Sequence, residues 1–240
     1  EQSVSDVDTI FHLAAFVSVP RSLEEPDLCF DINVSGTNKL LSAARKAGVN
    51  RVILASSAAV YGDNPEVPLV EFSKLKPLSP YASSKQMDEI LADIYSNQLG
   101  LEVVALRYFN VYGPRQSVES DYAAVIPIFL KTLLDGDQPV VYGDGLQSRD
   151  FIFVGDVIQA NLLAGKSEKA PGKVFNICSG EEITLLTLLD VMGELFNRDI
   201  SPSFQEVRPG DIHRSLGDPT FSRKLLDFPA PTSLAEGLRK

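Results

Sequence analysis

The stretch Leu78-Ser79-Pro80-Tyr81-Ala82-Ser83-Ser84-Lys85 decides how the rest of the chain is interpreted. It has the features of a helix start, because Ser79 is a favourable N-cap and Pro80 suits the first helical position, where a missing N–H costs nothing. Residues four apart share one face of a helix, so Tyr81 and Lys85 should point the same way. A phenol beside an ammonium group can act as a general base, although the spacing alone also fits an ordinary surface helix.

Composition limits the classes of protein to which the chain can belong. With 240 residues, 44% of them apolar and 22% charged, it is long enough for one large or two small globular domains. The net charge of −10 argues against a nucleic-acid partner. Cys29 and Cys178 lie far apart in sequence, which excludes a disulfide framework and indicates a reducing, cytoplasmic location.

Metal and membrane sites are not expected from the sequence. His12 and His213 are the only two histidines, which nearly excludes a histidine-based metal site or a Ser-His-Asp triad. No apolar run approaches the ~18 residues that a membrane span needs, so no membrane partner is expected either.

The first half of the chain alternates between apolar strands and amphipathic helices. Strands are predicted at 8–15, 51–55 and 101–106, a loop at 21–26, and helices from Asp27 to Gly48 and from Pro80 to about Gly100. This alternation predicts a doubly wound parallel sheet. Ser56 and Ser57 follow the second strand, where open α/β sheets bind their ligands.

The second half is less regular. Three further helices and three further strands are predicted in it. The helices are placed at 123–134, 156–163 and 184–196, and the strands at 139–142, 151–154 and 173–177.

Five motifs occur in the same order and with similar spacing as in a known family. They are Phe11-His12-Leu13-Ala14-Ala15, Asn33-Val34-Ser35-Gly36, Ser56-Ser57-Ala58-Ala59-Val60-Tyr61-Gly62, Arg107-Tyr108-Phe109-Asn110-Val111-Tyr112-Gly113-Pro114 and Ser148-Arg149-Asp150-Phe151. With Ser57, Tyr81 and Lys85, they make the chain resemble the extended short-chain dehydrogenase/reductases, specifically the nucleotide-sugar 4-epimerases.

The resemblance implies an α/β protein with a doubly wound parallel Rossmann-type sheet and a smaller α+β substrate-binding domain. Residues 1–115 and 150–180 would form the NAD-binding domain, and 116–149 and 181–240 the nucleotide-sugar-binding domain. The family's glycine-rich first turn has no counterpart in this sequence. We therefore expect the sheet to be truncated at its N-terminal side and the adenosine half of the NAD pocket to be absent.

The resemblance also implies NAD as cofactor and a catalytic trio of Ser57, Tyr81 and Lys85. In the implied reaction, Tyr81 takes the proton of the sugar 4-hydroxyl while Ser57 orients the same oxygen. NAD accepts the C4 hydride and returns it to the other face of the 4-keto sugar. The implied contacts to NAD are Leu13, Ala14, Ala15, Phe16, Asn33, Ser56, Tyr81, Lys85, Tyr108 and Phe109. For Asn33, a purely structural role on a helix face stays open.

The UDP-sugar would lie against the second half of the chain. Arg149 and Arg208 match phosphate-binding arginines, whose guanidinium groups suit a diphosphate, although each could equally form a surface ion pair. Tyr142 matches an aromatic that stacks on uracil, or is a core strand residue. The other implied contacts to the UDP-sugar are Ser57, Asn110, Val125, Asp211 and Ser215. The small side chain of Ser215 is associated with room for an N-acetyl group.

Ala58 and Ala59 distinguish between reactions within the family. Related dehydratases and decarboxylases carry carboxylates at these positions, and their absence favours UDP-hexose 4-epimerisation. A uronate 4-epimerase, a 4-keto-sugar reductase and a non-catalytic NAD- or UDP-sugar-binding module remain alternatives. The resemblance further implies a homodimer formed through the Asn33–Ala47 and Tyr81–Leu99 helices.

Overall fold

The computed structural model describes residues 4, 6–118, 124–207 and 212–240. Short strands pair in several small sheets around one larger parallel sheet within these ranges. In chain order the strands are β1 (Thr9–His12), β2 (Arg51–Ser57), β3 (Glu102–Tyr108), β4 (Asn110–Tyr112), β5 (Val140–Tyr142), β6 (Ser148–Arg149), β7 (Phe151–Phe153), β8 (Val174–Ile177), β9 (Ile183–Thr184) and β10 (Ser203–Gln205).

Helices follow most of these strands. They are α1 (Val19–Glu24), α2 (Pro26–Phe30), α3 (Gly36–Ala47), α4 (Pro80–Asn97), α5 (Val125–Leu134), α6 (Val154–Lys166), α7 (Leu185–Phe196), α8 (Thr220–Leu226) and α9 (Leu234–Leu238). A π-helical turn, Asp31–Ser35, joins α2 to α3, and a 3₁₀ turn, Ala58–Tyr61, follows β2.

The larger sheet has four strands in the order β1-β2-β3-β8, all parallel, in the part of the chain described. Its side chains alternate between two apolar layers. Ile53 and Val104 pack on one face with residues of α6 and α8, while Val52 and Val103 pack on the other face with residues of α3 and α4. Helices on both faces of a parallel sheet confirm the predicted doubly wound α/β class.

Parallel strands place their carboxyl ends at one edge of the sheet. Ser57 at the end of β2 lies opposite Tyr108 of β3, and Tyr108 lies opposite Ile177 of β8. This register brings the polar residues that follow β2 and β3 together, as the sequence predicts.

The helix boundaries follow local capping signals. The predicted start of α4 is confirmed, because Ser79 Oγ accepts a hydrogen bond of 3.1 Å from the amide of Ala82. The predicted end at Gly48 is also confirmed, since this residue has the left-handed φ of 75° that glycine adopts most easily.

The predicted loop at 21–26 is wrong, because this region is helical. α1 begins after Ser18, whose Oγ accepts a hydrogen bond from the amide of Arg21, and Pro20 lies in its first turn. Pro26 similarly begins α2. The polar composition of this stretch led to the prediction of a loop, although a proline in the first turn of each of these short helices favours a helix start.

A second apolar cluster lies outside the larger sheet. It unites α5, α7 and α9 with β5 and β7 through residues such as Phe129, Val141, Phe153 and Met192. Near it, β5 pairs with β10 in parallel and β6 pairs with β9 in antiparallel orientation. The assignment of 116–149 and 181–240 to a separate domain stays a prediction. Across the described ranges, no helix is both long and apolar enough to cross a membrane.

Candidate active site

Tyr81 and Ser57 meet at the carboxyl edge of the sheet. α4 carries Tyr81 in its first turn, and the Ser57 side chain lies close enough to the Tyr81 hydroxyl to lower its pKa. Ser57 Oγ also accepts a hydrogen bond of 3.2 Å from the amide of Ala59, which fixes its position. The structure therefore brings together two hydroxyls that lie far apart in sequence.

Lys85 lies one turn after Tyr81 and is almost fully buried. Its Nζ donates a hydrogen bond of 2.9 Å to the carbonyl of Ala55 and lies 3.4 Å from Asp88 Oδ2. An ammonium group can donate three hydrogen bonds, and the described residues supply two acceptors to it. The remaining N–H fits a hydroxyl of a bound ligand.

Burial is the main influence on the pKa of Tyr81. It raises this pKa above its ordinary value, and the neighbouring Ser57 side chain opposes the rise only in part. The nearby Cys29 and Asp88 raise the pKa of Tyr81 further. The role of Tyr81 as a base, helped by Lys85 and the cofactor, stays a prediction.

Asn33 holds the segment after β1 against α4. Its Oδ1 accepts a hydrogen bond of 2.7 Å from the amide of Phe16, and its Nδ2 donates to the carbonyl of Phe16 and to Ser84 Oγ at 3.1 and 2.8 Å. Both amide protons thus have protein acceptors. Phe16 is buried, whereas Leu13 and Ala14 are exposed beyond the end of β1.

Ser56 and Tyr108 direct their hydroxyls into the protein. Ser56 Oγ donates to Glu89 Oε1 at 2.5 Å, and the Tyr108 hydroxyl donates to Asn161 Oδ1 at 3.0 Å. Burial raises the pKa of Tyr108 to about 12. The third predicted aromatic neighbour, Phe109, is buried beside Tyr61. Their contacts to a cofactor stay predictions.

A cavity of about 1110 Å³ lies between the sheet edge and the second apolar cluster. Ala59, two residues after Ser57, and Ala82, directly after Tyr81, line this cavity. Four residues that the sequence predicts as substrate contacts also line it: Asn110, Val125, Tyr142 and Arg149. The volume is sufficient for a nucleotide sugar, since ligand cavities commonly measure about 300–1000 Å³.

Two of these lining residues are held by backbone groups. Arg149 Nη1 donates to the carbonyls of Ser148 and Ile212 at 2.8 and 2.6 Å, and Asn110 Nδ2 donates to the carbonyl of Asp150 at 3.1 Å. Arg149 is the one cation among the described lining residues. A single placed guanidinium group suits a diphosphate in a chain whose net charge is −10.

Four predicted substrate residues, Ser57, Arg208, Asp211 and Ser215, are not among the described residues that line the cavity. Arg208 and Asp211 lie outside the described residues. Ser215 is buried beside β6, where its amide donates a hydrogen bond of 3.2 Å to the carbonyl of Ser148. Their roles toward a substrate stay predictions.

Sequence reasoning missed several buried polar residues around the site. Asp150 accepts hydrogen bonds from the amides of Ser179, Gly180 and Gly217, which fastens the segment next to Arg149. Glu89 pairs with Arg107 beneath Ser56. The position of Glu89, four residues after Lys85, was the available signal, because this spacing places it on the same helix face.

The sheet, the serine at the end of its second strand and the Tyr–Lys pair on the next long helix define an extended short-chain dehydrogenase/reductase. The sequence profile of the NAD dependent epimerase/dehydratase family matches residues 1–178. The chain belongs to this family, whose cofactor is NAD.

Individual relatives agree with this assignment. The chain is 38% identical to UDP-glucose 4-epimerase of Mycolicibacterium smegmatis over 234 residues, and this match covers 97% of this chain and 74% of that protein. The solved UDP-N-acetylglucosamine 4-epimerase of Methanobrevibacter ruminantium, in complex with UDP-N-acetylmuramic acid, has a TM-score of 0.95 and 41% identity over 99% of this chain and 76% of that chain.

A second solved structure, UDP-glucose 4-epimerase of Thermotoga maritima with UDP-glucose, has a TM-score of 0.92 and 36% identity over 97% of this chain and 75% of that chain. These relatives place the chain among the NAD-dependent nucleotide-sugar epimerases and dehydratases.

Proposed function

We propose that the protein catalyses the 4-epimerisation of a UDP-hexose through a transient 4-keto sugar. The observation that carries the proposal is the proximity of the Ser57 and Tyr81 side chains at the sheet edge, in the same two segments as Ala59 and Ala82, which line a cavity large enough for a nucleotide sugar. In this arrangement Tyr81 receives the proton of the sugar 4-hydroxyl, and Ser57 holds the same oxygen in place.

The proton transfer needs a positive environment, because burial raises the pKa of Tyr81 in the chain by itself. The Lys85 ammonium, one turn away, supplies one positive charge. NAD, when bound, supplies a second positive charge and the acceptor for the C4 hydride. Leu13, Ala14, Ala15 and Phe16 after β1, with Lys85, would hold its nicotinamide half.

Ala58 and Ala59 favour epimerisation over dehydration. Elimination of water from the sugar needs a second acid or base near the reacting carbons. The 3₁₀ turn after Ser57 begins with Ala58 and Ala59. The resemblance implies that dehydratases of the family carry carboxylates at these two positions, and neither alanine can act as an acid or a base. Asp137 is the one carboxylate among the described lining residues, and it lies beyond the end of α5, away from the hydroxyl pair in sequence.

For the nucleotide, we propose that Arg149 and Arg208 bind the diphosphate and that Tyr142 stacks on the uracil. Arg149 and Tyr142 both line the cavity, which supports their part of the proposal. Asn110 would hold the diphosphate-linked sugar, and Asp211 would act in closing the loop over the nucleotide.

The proposed substrates include N-acetylated UDP-hexoses. Val125 presents an apolar surface to the cavity, and Ser215 follows the lining residue Ile212 by three positions. Replacing Ser215 with Tyr should reduce turnover of UDP-N-acetylgalactosamine more than turnover of UDP-galactose. An equal loss for both substrates would contradict the broader specificity.

The main test uses the full-length gene product, incubated with UDP-galactose and, separately, with UDP-N-acetylgalactosamine. Chromatography should show each 4-epimer. Tyr81→Phe should abolish conversion while NAD remains bound. Tyr95→Phe is the matched control, because it removes a phenol hydroxyl from the same helix, where this group contacts Asn38. No epimer from either sugar would reject the proposal.

We also propose a homodimer that buries the helices Asn33–Ala47 and Tyr81–Leu99. On α4, Met87, Ile90 and Ile94 are exposed at helical spacing, opposite the buried face that carries Lys85. Leu28 and Ile32 are also exposed, on α2 and the π-helical turn, and both of these segments contact α4. Ile90→Glu should convert a dimer to a monomer in sedimentation analysis, and a native mass equal to one chain would contradict the proposal.

A further inference from the structure

Asp88 is a buried carboxylate that the proposed reaction does not use. It lies on the same face of α4 as Tyr81 and Lys85, and it has no solvent exposure. Its Oδ2 lies 3.4 Å from Lys85 Nζ. Its Oδ1 has no hydrogen-bond partner among the described residues, which is costly for a buried carboxylate.

Among the described residues, Lys85 is the cation in contact with Asp88. Lys85 faces it from the same helix, together with Glu89 and Tyr81, while Cys29 faces it from α2 and Thr37 from α3. The Thr37 hydroxyl is hydrogen-bonded to a different residue, His12, with 2.9 Å between Thr37 Oγ1 and His12 Nε2. Asp88 therefore has Lys85 as its main partner.

The protonated state of Lys85 depends in turn on the Asp88 carboxylate. Burial lowers the pKa of Lys85, and the charge of Asp88, followed by its hydrogen bond, opposes that decrease. Cys29 and Glu89 also raise the pKa of Lys85. His12 on β1 is a further neighbour, and both burial and the charge of Lys85 lower the pKa of His12. Of the groups that face Lys85, Asp88 is the one in direct contact through a carboxylate oxygen.

We propose that Asp88 is a positioning residue for Lys85: its carboxylate holds the ammonium group against the Ala55 carbonyl and keeps it positively charged beside Tyr81. The inference rests on the proposed catalytic role of Lys85. It adds a third residue of α4 to the machinery, after Tyr81 and Lys85, and this residue acts through Lys85 without touching the substrate.

The direct test is an NMR titration of the lysine side chains in the 240-residue chain, with the Lys85 signal identified by its loss in Lys85→Met. In Asp88→Asn, the pKa of Lys85 should fall by about 1 unit or more, because an opposite charge at this distance shifts a pKa by roughly 1–3 units. Asp93→Asn is the matched control, since it makes the same change at an exposed position of α4 and should leave Lys85 unaltered.

The unsubstituted chain provides a second measurement if Asp88→Asn fails to fold. Burial raises the pKa of Asp88 to about 6, so the Lys85 signal should show a step near that pH. The step should persist in His12→Asn, which removes the neighbouring imidazole. An unchanged Lys85 pKa in Asp88→Asn, an equal shift in Asp93→Asn, or a Lys85 signal that shows no step anywhere on acidification would overturn the proposal.

Activity gives an independent readout in the full-length gene product. If Lys85 loses its proton more easily in Asp88→Asn, the alkaline limb of the kcat profile should move to lower pH, whereas Asp93→Asn should leave it in place. A uniform loss of activity at every pH would indicate a structural role and contradict the proposal. A protein without epimerase activity would reject the proposed function, while the lysine titration would still decide the role of Asp88.

Discussion

Two Arg–Glu pairs in this molecule have nearly the same geometry and very different surroundings. Arg107 donates two hydrogen bonds to Glu89, at 2.8 and 2.7 Å, and Arg214 donates two to Glu182, at 2.7 and 2.8 Å. The first pair is 4% and 7% exposed, and the second is 48% and 30% exposed.

The comparison teaches that position, not contact geometry, sets what an ion pair does. The buried pair is part of a network, because Ser56 donates to Glu89, and Arg107 donates to the Tyr61 hydroxyl at 2.7 Å. This network ties α4 to the ends of β2 and β3, next to Ser57. The exposed pair adds little to the free energy of unfolding, because water screens the attraction between its charges and its side chains lose conformational freedom.

The largest expected effect is the loss of the buried pair. Glu89→Gln leaves the Arg107 charge buried without its counter-charge, and we expect the free energy of unfolding to fall by about 3–5 kcal/mol. Urea unfolding of both proteins measures this change. A decrease below ~1 kcal/mol would show that the two pairs are equivalent and would contradict the comparison.

Removal of the Tyr61 hydroxyl should have an intermediate effect. This hydroxyl donates to Asn176 Oδ1 at 2.7 Å and accepts from Arg107, so Tyr61→Phe leaves the buried Asn176 Oδ1 without its donor and removes one of the acceptors of Arg107. We expect a loss of roughly 1–3 kcal/mol in urea unfolding. Tyr95→Phe, whose hydroxyl is only partly buried against Asn38, is the control and should lose less.

The smallest effect is expected for Glu182→Gln. In urea unfolding at neutral pH, the variant should be only slightly less stable than the natural chain, and high salt should reduce the difference, because exposed charges are screened. A difference as large as that of Glu89→Gln would contradict the assignment of this pair to the surface.

The pH dependence of this small difference has a definite sign. The hydrogen bonds from Arg214 and Ser148 lower the pKa of Glu182 to about 2, from an ordinary value of 4.5. A group with a lowered pKa in the folded state stabilises the fold above its unfolded pKa. The stability difference between the natural chain and Glu182→Gln should therefore be complete above pH 4.5 and shrink as the pH falls toward 2. A difference that grows on acidification would contradict it.

Much of the fold follows from local patterns. The strand–helix alternation, the apolar run before Ser56 and the cap at Ser79 predict the parallel sheet and the start of α4, because each depends on neighbours within a few residues. The same reasoning failed at 21–26, where polar composition concealed α1 and the start of α2.

The candidate site was predictable only in part. Asn110, Val125, Tyr142 and Arg149 line the cavity as a resemblance between motifs implies. The orientations of Ser56 and Tyr108 were not predictable, because residues adjacent in a strand face opposite sides and the partners Glu89 and Asn161 come from other elements. The pKa of Tyr81 also depended on burial, which spacing along a helix does not reveal.

The sequence by itself determined the α/β class and the family and predicted the trio Ser57, Tyr81 and Lys85, because periodicity, capping and short motifs are local properties. Tertiary structure alone decided which charged side chains contact the residues of that trio and their neighbours. Asp88 and Glu89 are two adjacent acidic residues of one helix, and packing gives the first to Lys85 and the second to Arg107. The strength of both pairs depends on the exclusion of water, which arises only when distant elements meet.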